Sequence, residues 1–468
     1  MPQPATMFEK IWDMHAIRDT GDGIYLLQVD RHIIQEMACS QAFDGLKRAG
    51  RKIECPGLTL GVTDHIVSTK AGRNFGSFEG GREALDLMSR NCLENGIRLF
   101  DITDPRQGIE HVVAAEQGFV LPGCTIVCAD SHTATNGAFG TLSWGFGTSD
   151  VEHVMATQAV LLKKPKIMNL VIEGSLSPGV FAKDVILHVI GQGGTQLGRG
   201  YFVEYSGSLI RGLPIEARMT ICNMSIELGS RCGMIAPDQK TFDYLAGRPF
   251  VPAGALWEQA VNYWRTLPSD PGATFDKTMK IDCGHLAPQI TWGITPAEVT
   301  GVEGRVPDPS SFSDSLQREN AEKALEYMDL KPGQMLSDIA IDYAFIGSCT
   351  NSRLSDLQAA ASVIKGRKVA PHVRALVAPG SSTVKREAEA LGLHQIFKDA
   401  GFEWRESGCS MCLAVNDDQV PAGKRCISSS NRNFEHRQGP NSRTHLASPA
   451  SVAAAALEGK IADVRRYI

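Results

Sequence analysis

The sequence predicts an α/β protein of roughly three domains, and three observations lead there. First, apolar runs of strand length end in loops of small, hydroxyl or charged residues. Leu58–Val62 runs into Thr63-Asp64-His65, Cys124–Cys128 into Ala129-Asp130-Ser131-His132, and Ile339–Ile346 into Gly347-Ser348-Cys349. Second, the third run is followed by a helix-like segment, from Ser352 through Leu354, Leu357, Ala360, Ala361 and Ile364, with apolar spacing of about 3.6 residues. That order, strand then loop then helix, is how open α/β sheets present ligand sites. Third, the chain has 468 residues, room for three domains of about 150 residues. A new unit begins near 168, and the Pro- and Ser-rich stretch 304–315 reads as a linker, which gives spans 1–167, 168–303 and 304–468.

In chain order, residues 7–20 read as a short helix and Ile24–Val29 as a strand. Ser40-Gln41-Ala42-Phe43-Asp44 opens a helix with Ser40 as its cap, which sets Gln41 in the first turn. Two strand ends then carry a carboxylate close to an imidazole: Asp64-His65 and Asp130-Ser131-His132. Such a pair holds the imidazole tautomer and raises its basicity, as proton transfer requires. His111, in Gln107-Gly108-Ile109-Glu110-His111, adds a third histidine. The glycine-rich stretch 137–147 lacks the strand–loop–helix order and downstream acid of a dinucleotide fingerprint. A helix follows from Ser149, with Glu152 in the capping-box position. The helical run Ala182–Ile190 leads into a second glycine-rich loop, 191–200. Phe202-Val203-Glu204-Tyr205 places one carboxylate in an apolar strand, where burial is costly without a partner, so a histidine beside Glu204 is expected. Arg432 and Arg437 lie in a polar loop and are suited to clamp carboxylates by paired hydrogen bonds. The chain closes with the Ala-rich helix Pro449–Glu458, capped by Ser448 and stopped at Gly459.

Composition excludes several classes. The formal charge of −5 argues against a broad basic face for nucleic acid. No apolar run reaches membrane-spanning length and the first dozen residues carry no signal-peptide core, so a soluble, cytoplasmic protein is expected, with no membrane partner. Twelve cysteines without framework spacing fit free thiols in a reducing compartment.

Three of those cysteines form a separate constellation: Cys349 at a strand-to-helix loop, and Cys409 and Cys412 in C-x-x-C. A closed zinc site takes four protein ligands, whereas a 4Fe–4S cluster held by three thiolates keeps one iron open. An open Lewis-acidic iron can polarise a departing hydroxide without redox change. The C-x-x-C spacing alone is equally compatible with structural zinc or with two buried thiols.

At this point the motifs resemble a known family nearly end to end. Ser40-Gln41-Ala42-Phe43-Asp44-Gly45-Leu46, Asp64-His65, Asp130-Ser131-His132-Thr133-Ala134-Thr135, Gly347-Ser348-Cys349-Thr350-Asn351-Ser352-Arg353, Gly408-Cys409-Ser410-Met411-Cys412 and Asn431-Arg432-Asn433-Phe434 stand in its order. The chain is similar to the isopropylmalate dehydratase large subunits of the aconitase superfamily. The resemblance implies three α/β/α domains around one 4Fe–4S cluster held by Cys349, Cys409 and Cys412, without the swivelling fourth domain. It implies that Asp64 with His65, His111 with Glu204, and Asp130 with His132 are the catalytic hydrogen-bond pairs. It further implies that Gln41, Arg432 and Arg437 contact substrate carboxylates and that Asn431 neighbours the cluster. The fourth domain, which carries the serine base, belongs on a small subunit in this family. A heterodimer is therefore expected, with the chain inactive alone and a small hydroxy dicarboxylate as substrate.

The implied reaction interconverts 2- and 3-isopropylmalate through isopropylmaleate, in leucine biosynthesis. Two departures bear on the substrate: Asn136 stands where the family has histidine, and His436 stands where it has the glycine before Arg437. Histidine does not share glycine's backbone freedom, so the loop is expected to change shape. A paralogous hydro-lyase acting on 2-methylmalate, 2,3-dimethylmalate or homoaconitate stays open. An RNA-binding regulator, as some aconitase relatives are, is disfavoured by the acidic balance.

Overall fold

A computed structural model describes residues 3–468. Its contacts divide the chain into two compact units, each drawn from three stretches. The first contains the residues through Ile66, Glu79–Ser175 and Gln196–Asp282; the second contains Val67–Phe78, Leu176–Thr195 and Cys283–Ile468.

The first unit opens with the helix Met7–His15, fixed by a capping box in which Glu9 N–H donates to the Thr6 hydroxyl (3.1 Å) and Thr6 N–H to the Glu9 carboxylate (2.7 Å). The helix stops at His15, short of the expected residue 20. Ala16–Gly21 instead pairs antiparallel with Ile24–Gln28 across the two-residue turn Asp22-Gly23, both at positive φ. Asp-Gly accepts the left-handed backbone that a tight hairpin demands, and this turn chemistry outweighs local helical spacing.

The hairpin's neighbour is a wholly parallel five-stranded sheet. Its strands are β1 (Arg31–Gln35), β2 (Thr59–Val62), β3 (Arg98–Phe100), β4 (Thr125–Cys128) and β5 (Leu142–Gly145), in the order β3-β2-β1-β4-β5. The chain leaves β1 toward one edge and returns to the other side through β4, so the strand order reverses between β1 and β4. That is where loops splay apart and a crevice forms. β2 and β4 are buried along their whole length, as expected for a parallel sheet covered on both faces. Helices Ser40–Arg48, Glu79–Asn95 and Thr148–Thr157 bury Phe43, Leu46, Met88 and Met155 with Ile34 of β1 in one core. Two of these helices start elsewhere than expected. Cys39 precedes the first and makes no side-chain cap. The third is capped from Gly147, whose N–H donates to Asp150 at 3.4 Å, in place of Ser149 with Glu152. A second parallel sheet in this unit contains β6 (Lys166–Glu173), β7 (Tyr201–Ser206), β8 (Gly233–Ile235) and β9 (Lys277–Asp282), ordered β8-β7-β6-β9.

The second unit is organised on β10 (Tyr343–Ile346), β11 (Arg374–Val377), β12 (Phe402–Trp404), β13 (Arg425–Ser428) and β14 (Arg443–Leu446). Their order, β12-β11-β10-β13-β14, repeats the doubly wound plan, with its reversal between β10 and β13. The helix Pro449–Glu458 is buried almost throughout, and starts as expected at Ser448, whose hydroxyl accepts from Ser451 N–H. Among the described residues no helix is long and apolar enough to cross a membrane.

Candidate functional site

The first unit gathers its histidines and acids at the C-terminal ends of β1, β2 and β4, at the reversal point. Glu36, just past β1, lies behind the loop after β2 and accepts the backbone N–H groups of His65 and Ile66, each at 2.7 Å. Those bonds hold the Asp64-His65 turn. Asp64 Oδ1 then meets His65 Nδ1 at 2.5 Å, and Asp64 Oδ2 accepts Glu110 N–H at 3.0 Å. His65 Nε2 lies 3.5 Å from Asp130 Oδ2.

Asp130, past the end of β4, is the hub. Its Oδ1 meets His111 Nε2 at 2.9 Å and accepts the backbone N–H of His132 at 2.7 Å. Burial by itself would raise its carboxyl, but the bonds from His111, His132 and His65 hold it well below the usual carboxylate range. For His65 burial disfavours the cation, yet the Asp64 charge and the bonds to Asp130 and Asp64 raise it well above an ordinary imidazole. Glu110 is pushed the other way: burial and the charges of Asp64 and Asp130 keep it protonated well above the usual range. The site therefore holds a proton on His65 beside an ionised Asp130, with a neutral acid behind them. That arrangement can deliver a proton to a departing hydroxide.

One expected pairing is corrected, and a second gains a partner. His111 bonds Asp130 and not Glu204. His132 does meet Asp130, its Nδ1 3.6 Å from Oδ1. On its other side the His132 ring also meets Glu227, whose Oε1 lies 3.0 Å from Nε2. Glu227 is not singled out by the sequence; its only signal is an acid between Ile226 and Leu228 just before Gly229. Glu204, on β7, shares its carboxylate with the Ser269 hydroxyl (2.9 and 2.8 Å), which in turn accepts Met7 N–H at 2.7 Å. It therefore supports the N-terminal helix. Burial pushes Glu204 up to about 7, against the Ser269 bond and the Lys10 charge. Its folded value lies above the unfolded one. The group therefore costs nothing below about pH 4.5, and destabilises progressively as pH rises to about 7, by roughly 3 kcal/mol in full. Glu204→Gln should raise the thermal midpoint at about pH 8 and leave it nearly unchanged at about pH 4. Equal shifts in calorimetry at both pH values would remove ionisation as the cause.

Gln41 is exposed in its helix and bonds none of these groups. Asn136 is buried, donates to Thr133 O at 3.1 Å, and leaves its own amide oxygen without a partner among the described residues.

The second unit brings the three expected cysteines to its own reversal point. Cys349 follows β10, Asn431 follows β13, and all three thiols are buried. The Ser348 hydroxyl lies 3.2 Å from Cys412 Sγ and 3.9 Å from Cys349 Sγ. Asn431 spans the same two sulfurs, with Nδ2 donating to Cys349 Sγ at 3.3 Å and Oδ1 3.8 Å from Cys412 Sγ. Cys409 sits on the same short turn as Cys412, whose N–H donates to the Cys409 carbonyl at 3.0 Å. Backbone strain concentrates here: Ser348, Ser410, Ala414 and His436 are all left-handed non-glycine residues. Such conformations persist where the surroundings over-determine them, commonly at functional sites.

Buried cations hold the loops that carry the sulfurs. Arg353 donates to the carbonyls of Cys349 (2.7 Å) and Thr350 (2.8 Å), fixing the loop. Lys183 Nζ, fully buried, donates to the carbonyls of Ser429 (3.1 Å) and Ser430 just before Asn431. Arg437 is buried, lies 3.9 Å from Cys412 Sγ and stacks its guanidinium 5.4 Å from the Phe434 ring centre. Its Nε has no partner among the described residues, an orphan donor that calls for an anionic group. Arg432 is half-buried in the same loop. Three soft sulfurs on loops held by buried Arg353 and Lys183, with Arg437 beside Cys412 and its Nε unsatisfied, fit an anionic iron–sulfur cluster with a carboxylate ligand beside it.

His436, in place of the expected glycine, has φ +65°, the region glycine favours, at a cost of about 1–2 kcal/mol. Its N–H donates to the Tyr327 hydroxyl and its Nδ1 accepts Asn441 N–H, both at 2.8 Å. The ring is thus tied to its own unit, and the loop keeps a backbone shape that glycine could also take.

Comparison with known families agrees with this chemistry. Residues 9–459 match the model of the aconitase family (aconitate hydratase), whose members typically bind a 4Fe–4S cluster and act on small hydroxy acids.

Proposed function

The chain belongs to the aconitase family of hydro-lyases, and from that premise we propose that it is the cluster-binding large subunit of 3-isopropylmalate dehydratase, acting in leucine biosynthesis. It would interconvert 2- and 3-isopropylmalate by losing and regaining water through isopropylmaleate, in the cytoplasm, as a heterodimer with a small subunit. Two observations, each within its own unit, support the reaction class: Cys349 and Cys412 both lie against Ser348 and Asn431, with Cys409 on the turn of Cys412, and the first unit holds an imidazolium between two carboxylates. The choice of isopropylmalate rests on the motif series from Ser40-Gln41-Ala42-Phe43-Asp44 to Asn431-Arg432-Asn433-Phe434. For the domain plan we keep 1–167, 168–303 and 304–468, supported by one parallel sheet in each span, save that β6 begins at Lys166.

Cys349, Cys409 and Cys412 would hold the cluster, which would supply a Lewis-acidic iron for the substrate hydroxyl. The chain's residues do the rest. Arg437 and Arg432 orient the carboxylates by charge-assisted bonds, with Gln41 as a further contact. His65 gives its Nε2 proton to the departing hydroxide, so that water leaves. Asp64 fixes the ring through Nδ1, and Asp130 keeps it charged until that moment. His111, and His132 with Glu227, hold Asp130 and the surrounding hydrogen bonds in place. A base on the small subunit takes the carbon-bound proton, leaving the alkene; water returns with hydroxyl and proton exchanged between the two carbons.

One alternative, a paralogous hydro-lyase on another substituted malate, stays open because His436 precedes Arg437 where the family has glycine. The experiment is anaerobic. The chain is reconstituted with iron and sulfide and mixed with the small subunit, and isopropylmalate, citramalate, dimethylmalate and citrate are offered in turn while alkene absorbance is followed. Alkene from isopropylmalate, with both chains present, is the expected result. Preference for another malate moves the assignment to the paralogue, and no alkene from any of them with an intact cluster removes the hydro-lyase reading.

A further inference from the structure

Between Cys409 and Cys412 stands Ser410, a non-glycine residue at φ +48°. A left-handed serine costs about 1–2 kcal/mol and reverts unless something grips it. The grip is Asp418, buried six positions after Cys412. Its Oδ2 accepts the Ser410 hydroxyl at 2.8 Å and the Thr69 hydroxyl, and its Oδ1 takes a guanidinium N–H of Arg405. Asp418, Arg405, Thr69 and Ser410 are all at least nine-tenths buried. Thr69 is itself tied down, since its carbonyl accepts Glu406 N–H at 2.7 Å, and the nearby Arg73 donates to the Ser407 carbonyl at 2.5 Å. The segment 67–78 thus straps the strand end that delivers the C-x-x-C turn, and Asp418 is where strap, strand and turn meet.

We propose that Asp418 is a positioning residue for the cluster: by holding Ser410 in its left-handed conformation it keeps the Cys409 and Cys412 sulfurs aimed together. The inference rests on reading the three cysteines as cluster ligands. Groups that orient metal ligands without touching the metal typically change metal retention ten- to a hundredfold.

The test is cluster retention. The full chain and its Asp418→Asn variant are reconstituted anaerobically, iron and sulfide are counted, and the visible absorbance is followed after admission of air. The variant is expected to lose its cluster about tenfold faster, with an altered paramagnetic resonance signal of the oxidised cluster. Asp418→Asn also removes the buried charge partner of Arg405 and leaves it only Glu403 at 3.7 Å, so the cluster-free variant is expected to melt below the parent. Ser410→Ala is therefore a second probe. It removes the grip and leaves the Arg405–Asp418 pair intact, and the same faster loss is expected. Folded variants that both hold the cluster as long as the parent would overturn the inference. A parent chain that takes up no cluster would overturn the cluster reading itself, so the two failures are distinguishable.

Discussion

His65→Asn lowers turnover by about a hundred- to ten-thousand-fold, the range for loss of a positioned acid, while iron and sulfide content stay at the parent level. His65 is the group on which the local field converges: Asp64 at 2.5 Å on one nitrogen and Asp130 at 3.5 Å on the other. Those carboxylates overcome the desolvation that would strip a buried imidazole of its proton. The acid form is therefore present below the raised value and lost as pH rises through it, which sets the alkaline limb of the rate profile. Asp130→Asn removes one of the two supports. It should move that limb to lower pH and reduce the maximum, because the ring proton is then held less firmly. The pH dependence of turnover in the reconstituted heterodimer measures both effects. An unmoved alkaline limb in Asp130→Asn would assign the limb to another group.

Cys349→Ala abolishes turnover and most of the visible absorbance after reconstitution. Cys349 stands alone on its loop, whereas Cys409 and Cys412 share one turn, so its removal leaves both remaining thiolates on the same side of any bound cluster. Two thiolates from a single turn leave two irons without protein ligands, and affinity collapses. The fold itself should survive. The Cys349 side chain is small, and the loop backbone is held by Arg353 through the Cys349 and Thr350 carbonyls. A loss of roughly 1 kcal/mol in the cluster-free chain is expected, the usual size for a small truncation. Iron content, absorbance and the thermal midpoint of the cluster-free variant are the three readings. Full iron content in Cys349→Ala would take that residue out of the ligand set.

Much of the candidate site was legible because its signals are local. The spacing of Cys409 and Cys412, the turn residues around Cys349, and the adjacency of Asp64 and His65 need no knowledge of topology. The strand ends that carry them were recognisable too, because buried parallel strands are short apolar runs that break sharply into polar loops. Helix starts were less legible: Ser40 and Ser149 are both good capping residues, yet the caps fall at Cys39 and Gly147. A cap is chosen by which N–H groups remain unpaired once the helix packs, and propensity only weights that choice.

Who pairs with whom was decided by the tertiary structure. The expectation of Glu204 beside His111 rests on the cost of burying a lone carboxylate and on the family resemblance. Yet Glu204 is the fourth residue of β7, in register with Asn169 of β6 and Met234 of β8, and there it meets Ser269. In a pleated strand a shift of one residue reverses the face, so no property of the residue itself could have chosen its partner. His132 finds Glu227 across 95 residues and His111 finds Asp130 across 19. By itself the sequence determined the α/β class and the Asp64-His65 contact, and marked Cys349 and the Cys409/Cys412 spacing as candidate donors, because each of these signals is written in neighbouring residues. Strand order and register decided the rest, because they alone bring distant side chains to one end of a sheet.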